Sequence, residues 1–197
     1  MSRYDADDVY CYPGSSTLKN KLGIADQDQL DAFEADITVA RIVGISDKPL
    51  VGNFDFDHLK AIHYELFQDL YDWAGEVRRV DILRENSRFA NVRMIDSAAK
   101  RIFDGLEQES LFEGKGIEVV AKRLAHYLSE INVLHPFRDG NGRVQRVFIS
   151  QLAKAAGYSL DYSDLNQQAM YRSMEKAFFG DETELAELIA LKLNKLI

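Results

Sequence analysis

From His135 to Arg146 the chain reads His-Pro-Phe-Arg-Asp-Gly-Asn-Gly-Arg-Val-Gln-Arg, which sets a base, a carboxylate, a glycine-flanked turn and two arginines within twelve positions. Those groups can hold a nucleoside triphosphate and take a proton from an attacking hydroxyl. Pro136 disfavours helical backbone at the residue before it, so a helix arriving at His135 should end there and present the imidazole at a loop mouth. An unperturbed histidine titrates near about pH 6.5 and is largely neutral at cytoplasmic pH, as a general base must be. Asp139 is a hard oxygen ligand suited to Mg2+, which binds through a carboxylate or two, substrate phosphates and water. Gly140, Asn141 and Gly142 let the backbone turn with its N–H groups toward an anion, and the helix that follows adds its positive end. Arg143 and Arg146, three apart, are expected on one face of that helix's first turn, where they can clamp phosphate oxygens. Phe137 is expected to anchor the loop to the core.

Each part is ordinary alone; the joint spacing is not. With eight positions fixed at roughly 5% usage each, chance gives the pattern on the order of once per ten billion windows.

The elements that must position these residues read as helices. Leu30, Phe33, Ile37, Ala40 and Gly44 fall on one helical face, and Leu59, Ile62, Leu66, Leu70 and Trp73 form a second stripe ended by Gly75. Ile95, Ala98, Ala99, Ile102 and Leu106 make a third stripe. Val120, Leu124, Tyr127, Leu128 and Ile131 make a fourth, which runs into the loop. Beyond it Val144, Val147, Phe148, Leu152 and Ala155 resume the period, with Gly157 as a stop. Leu165, Ala169 and Arg172 suggest a weaker helix. Leu185, Leu188, Ile189, Lys192 and Leu196 suggest a terminal one, with Asp181 and Glu184 at capping-box spacing. Only 78–92 reads as β: Val80, Ile82, Phe89 and Val92 flank the polar tip Arg84-Glu85-Asn86-Ser87-Arg88, as in a hairpin lying on the helical body. The expected fold is all-α, with a single domain over 1–197.

Composition narrows the function. The 197 residues are 46% hydrophobic, enough for a sizeable core. A formal net charge of −8 argues against a nucleic-acid-coating surface, which needs a basic field, so positive charge must be local. The one cysteine, Cys11, allows no internal disulfide or cysteine metal cage and reads as a spectator thiol near a mobile end. With no signal-peptide pattern at the start and no apolar run of about 20 residues, a cytoplasmic protein off the membrane is expected.

His135, Phe137, Asp139, Gly140, Asn141, Gly142, Arg143 and Arg146 fill every fixed position of the motif HxFx(D/E)GNGRxxR, and the chain thereby resembles the Fic (Fic/Doc) family. The likeness extends through the helix ending at Leu134, the 78–92 hairpin and the run Tyr71-Asp72-Trp73-Ala74-Gly75. It is similar to bacterial stand-alone Fic proteins. The resemblance implies a compact helical Fic fold with a core of about residues 54–157, terminal helices as extensions and a β-hairpin flap over the site. It implies a nucleotidyltransferase that moves AMP from ATP, with Mg2+, to a Ser, Thr or Tyr hydroxyl of a target protein. By resemblance the base is His135, the metal ligand Asp139 and the anion hole Gly140, Asn141 and Gly142, with Arg143 and Arg146 on the phosphates. The family's flap registers the target by strand addition, making Ser87, Arg88 and Phe89 candidate target or nucleotide contacts; Asn53 and Phe54 are candidates to border the nucleotide. The alternatives are a kinase or phosphocholine transferase on the same scaffold, or an inactive nucleotide-binding module. Gly142 argues against the kinase, because Doc relatives carry lysine there.

Many family members restrain themselves with a helix carrying [S/T]xxxE[G/N], whose glutamate pairs with a motif arginine. Here only Thr183 has a glutamate four residues later, Glu187, and Leu188 follows it. The resemblance therefore implies the toxin of a toxin–antitoxin pair, restrained by a separate small antitoxin, with gyrase and topoisomerase IV among the family's targets. His58 and His63, five apart, lack HExxH spacing and read as structural, as does His126.

Overall fold

A computed structural model describes residues 9–84 and 87–196. The side chains of Leu83, Arg84, Ser87 and Arg88, and all of Glu85 and Asn86, lie outside that description. Seven α-helices, two 3-10 turns and two short antiparallel ribbons make up the described regular structure, so the fold is helical as expected, with one ribbon more than the sequence suggested. The chain gathers into two compact units: one runs through Val51 and takes in Lys60–Glu76, the other comprises Gly52–Leu59 and everything from Val77 onward.

In the first unit α1 (Gln27–Asp47) starts where the Asp26 carboxylate accepts a hydrogen bond from the Gln29 N–H at 2.9 Å. Its buried face is Leu30, Glu34, Thr38 and Ile45, while Phe33 is 52% exposed and Ala40 and Gly44 are exposed. The expected stripe was therefore rotated. The reason is that two buried positions are polar: Tyr71 donates its hydroxyl proton to the Glu34 carboxylate, and Thr38 Oγ1 bonds the Glu34 carbonyl at 2.7 Å. Satisfied polar groups can occupy a core face without an apolar pattern to announce them. Cys11 is also unlike the expected terminal thiol. It is 3% exposed and bridges backbone to backbone with Leu18.

Helix α2 (Phe56–Phe67) begins in the second unit and continues into the first. It stops before Leu70 and Trp73, which belong to the turns that follow. There the Gly75 N–H donates to His63 Nδ1 at 2.7 Å, which makes His63 a structural residue.

In the second unit, β1 (Leu83–Arg84) pairs with β2 (Ser87–Arg88), Leu83 opposite Arg88. A 3-10 turn at Val92–Met94 leads into α3 (Ile95–Gln108), then α4 (Ile117–Leu134) and α5 (Asn141–Ala155). Helix α4 is the axis of this unit. It packs against α3, α5, α6 (Gln167–Phe178) and α7 (Thr183–Ala190), and buries nine residues, among them the whole expected stripe Val120, Leu124, Tyr127, Leu128 and Ile131. Polar stitches reinforce the packing: Ser129 Oγ donates to the Ala177 carbonyl at 3.2 Å and Gln145 Nε2 to that of Ile131 at 3.5 Å.

The C-terminal segment departs from expectation twice. The helical period through Lys192 and Leu196 breaks at Ala190, and β4 (Leu193–Lys195) pairs with β3 (Tyr158–Leu160). Helix α7 is entered from Glu182 rather than Asp181, whose carboxylate instead accepts from the Thr183 N–H at 3.1 Å. Glu184 does not fold back as a cap. Arg172 and Lys176 draw its carboxylate to 2.7 and 2.6 Å, and the lysine's hydrogen bond, then the arginine's, hold it below the usual carboxylate range.

Candidate active site

The loop and both flanking helices lie in the second unit. Helix α4 ends at Leu134, and His135 caps it in the left-handed region at φ 44°, its N–H bonded to the Ile131 carbonyl at 3.0 Å. Few residues besides glycine adopt that conformation, and contacts to the ring and the carbonyl hold this one. His135 Nδ1 lies 3.2 Å from the Asn132 carbonyl oxygen, the ring stacks on Phe89 with centroids 3.7 Å apart, and the His135 carbonyl accepts from Arg78 Nε at 2.8 Å. A carbonyl can only accept, so Nδ1 carries the proton of the neutral ring and Nε2 keeps the lone pair. That is the tautomer a base acting through Nε2 requires.

Phe137, 1% exposed, anchors the loop as its position suggested, and Arg138 is buried beside it at 2%. Asn141 closes the loop on itself: its Oδ1 accepts from the Phe137 N–H at 3.0 Å and its Nδ2 donates to the Phe137 carbonyl at 2.8 Å. The Asn141 side chain thus shapes the loop, and the Gly140 N–H donates to Asp139 Oδ1 at 2.5 Å. Gly140 precedes α5 at φ 76°, a conformation that favours glycine, with no side-chain cap on the helix start. Its carbonyl accepts from the N–H groups of Arg143 and Val144 at 3.0 and 3.1 Å. The start of α5 carries the partial positive charge of a helix N-terminus.

Asp139 and Arg143 face each other across this turn, Oδ1 to Nη2 at 4.0 Å, both side chains partly exposed. Arg146 is exposed on the second turn of α5 rather than the first, still on the face of Gly142 and Arg143. A Cβ at Gly142 would meet Arg146 Nη1 at 3.7 Å. Among the described residues no group of three or more His, Cys, Asp or Glu could hold a metal on its own. Asp139 fits a metal ion that arrives with phosphates and takes most of its ligands from them and from water.

The remaining candidates fall in two places. Phe89 is 7% exposed, packed on His135 and edge-on to Phe178 at 6.0 Å; Ser87 and Arg88 have backbone in β2 beside it, their side chains outside the described residues. Phe54 sits at φ 57° with its N–H 3.3 Å from His58 Nδ1 and its ring edge-on to His58 and to Phe148 of α5, while Asn53 is exposed. His58 is a buried prop for this loop, and a Cβ on Gly52 would strike its ring at 2.4 Å. His126 is half-buried with Nδ1 3.1 Å from Glu182 Oε1.

Sequence reasoning passed over Arg78. Its guanidinium is 1% exposed and reaches the carbonyls of His135, Val80 and Ala90. Three of its partners are backbone carbonyls, one of them 57 residues away, and the Asp81 carboxylate, 3.7 Å from Nη1, lies at a spacing that a sequence can show.

A histidine at the end of one helix, a glycine-flanked turn at the start of the next and a small ribbon whose neighbour Phe89 stacks on that histidine is the arrangement expected of Fic proteins. The chain belongs to the Fic/DOC family, whose model matches residues 53–153. It is 38% identical over 196 residues to the protein adenylyltransferase VbhT of Bartonella schoenbuchensis, covering 99% of this chain and 41% of that longer protein. It is 39% identical over 188 residues to a Salmonella typhimurium protein named as a probable protein adenylyltransferase Fic, covering 95% of this chain and 93% of that one. Protein adenylylation is a nucleotidyltransferase activity. Among solved structures, the BepC protein of Bartonella tribocorum with bound AMPPNP superposes with a TM-score of 0.91 at 27% identity, over 98% of this chain and 100% of that one. The N-terminal Fic domain of a Bartonella quintana cell filamentation protein with bound ADP also gives 0.91, at 28% identity and 95% coverage of each.

Proposed function

We propose that this chain is a protein adenylyltransferase that transfers AMP from ATP to a Ser, Thr or Tyr hydroxyl of a target protein. The observation that carries this reading is the placement of His135 at the end of α4, its Nδ1 3.2 Å from the Asn132 carbonyl oxygen, just ahead of the glycine-flanked turn that starts α5. In the proposed reaction the target hydroxyl gives its proton to His135 Nε2 as its oxygen attacks the α-phosphorus, and pyrophosphate leaves. Backbone N–H groups at 140–142 and the side chains of Arg143 and Arg146 hold the phosphates, in a turn that Asn141 has already shaped. Asp139 would hold Mg2+, which when bound neutralises phosphate charge. Support for ATP as donor comes from the named activity of the relatives and from the AMPPNP and ADP bound in the two solved relatives.

We further infer a toxin restrained by a separate antitoxin and acting in the cytoplasm on targets of the gyrase and topoisomerase IV type. The support is that Glu187, the one glutamate at inhibitory spacing, is exposed on α7 and is followed by Leu188. No helix of the described residues is long and apolar enough to cross a membrane.

The test is transfer of label from α-labelled and, separately, γ-labelled ATP into proteins of a bacterial lysate. The expected result is label from the α position only, reduced by about 10²- to 10⁴-fold in His135→Ala, the usual contribution of a general base. Label from the γ position alone would establish a kinase instead, and full labelling by His135→Ala would remove the base.

A further inference from the structure

The ribbon beside the active-site loop is fastened at its neck by one buried cation. Arg78 Nη1 donates to the Val80 carbonyl at 2.7 Å on the way into the ribbon, and Nη2 donates to the Ala90 carbonyl on the way out. Nε donates to the His135 carbonyl at 2.8 Å, and the Arg78 N–H to the neighbouring Pro136 carbonyl at 2.9 Å. A second row of bonds lies alongside: the Ala90 N–H reaches the Val133 carbonyl at 3.0 Å, and Asp81 accepts from Asn91 Nδ2 and the Val92 N–H at 2.8 and 2.7 Å. Arg78 is 1% exposed, and its cation bears a large desolvation cost unless its donors are met and its charge is faced; Asp81 Oδ1 lies 3.7 Å from Nη1. Here its planar fork meets carbonyls from three separate stretches of backbone.

His135 is a non-glycine residue in the left-handed region, a conformation that persists only where its surroundings over-determine it. Two of its restraints run through this neck: the bond from Arg78 to its carbonyl, and the stacked ring of Phe89, next in sequence to the Ala90 that Arg78 holds.

We propose that Arg78 is a positioning residue that locks the ribbon neck and the His135 backbone into one unit, so that the imidazole keeps its orientation and tautomer while a hydroxyl approaches. The proposal rests on the AMP-transfer reading for its consequence in catalysis, but not for its structural content. Lysine would keep the charge and lose the fork, since an ammonium cannot reach three divergent carbonyls from one atom.

The experiment compares wild-type protein with Arg78→Lys in three ways: turnover at saturating ATP per folded molecule, ¹⁵N signals of the His135 ring, and hydrogen exchange of the Arg78 and Ala90 amides. Turnover is expected to fall about 10- to 100-fold, the ring to shift from one Nδ1–H tautomer to a mixture, and, in wild-type protein, the two amides to exchange through one opening event with similar protection. A residue that merely stabilised the fold would lower the melting temperature and leave the ring signals and the turnover of folded molecules unchanged; that result overturns the proposal. Should Arg78→Lys not fold, the wild-type exchange decides: amides differing more than about tenfold in protection mean that ribbon and loop are separate units. If wild-type protein transfers no AMP, the AMP-transfer reading fails, and the ring signals and exchange still judge Arg78.

Discussion

At the residue scale, Phe137, Arg138 and Asn141 are buried side chains of the loop, and Asn141 spends its amide on the loop's own backbone. Spacing alone pointed to His135, Asp139 and the arginines, because their chemistry is carried by side-chain type and the intervals fit a turn entering a helix. It could not show that the Asn141 amide bonds the Phe137 backbone, or that Phe89 faces the imidazole rather than solvent, since both depend on how the loop closes. Asn141→Ala removes two hydrogen bonds to the buried Phe137 backbone. It should cost about 1–3 kcal/mol of stability, the usual penalty for an unmet buried polar group. Urea unfolding checks this, and a variant as stable as wild type would show that the amide is not what shapes the turn. Gly140→Ala forces a Cβ into a backbone at φ 76° and should cost about 1–2 kcal/mol by the same measurement.

At the scale of elements, apolar periodicity was a good guide where the buried face is apolar throughout, as on α4, and a poor one where it is not. Glu34 and Thr38 rotated the reading of α1 by one position because a buried carboxylate met by Tyr71 leaves no hydrophobic signature. Strands β3 and β4 escaped notice for another reason. Each is three residues long, and Lys192 and Leu196 continue the helical period of α7 by coincidence.

Between α3 and α4 the structure adds a polar cluster that can be titrated. Arg123 Nε donates to Glu109 at 2.6 Å, Tyr127 Oη donates to it at 2.7 Å, and the Arg123 guanidinium lies 5.2 Å over the Tyr127 ring. Burial pushes Glu109 up, but the hydrogen bonds from Arg123 and Tyr127 outweigh it and hold the carboxyl below its ordinary 4.5. A carboxyl with a lowered folded pKa stabilises the fold above its unfolded value, and that contribution is lost as pH falls through the folded one. Burial and then Glu109 push Tyr127 up to about 12, so its contribution is present below about pH 10 and lost as pH rises toward 12. Melting temperature should therefore decline below about pH 4.5, with Glu109→Gln flattening that acid limb, as scans across pH would show. An unchanged acid limb in the variant would place the acid sensitivity elsewhere.

At the scale of the whole molecule, helical class and family were legible because one twelve-residue loop is so improbable, while the division into two compact units, with α2 running from one into the other, left no mark in composition or linkers. Helix α4 packs against α3, α5, α6 and α7, and Leu124→Ala, at a site with no exposure, should cost about 2–5 kcal/mol in denaturant unfolding. In the proposed reaction His135 and the 140–146 turn pass AMP, and no other group, to a protein hydroxyl. The most direct test is mass spectrometry of the protein labelled in a lysate by the pure enzyme and ATP. The account expects a peptide carrying AMP on a Ser, Thr or Tyr oxygen, absent when His135→Ala replaces the enzyme. A peptide carrying phosphate or any other group, or AMP appearing undiminished with His135→Ala, would contradict it.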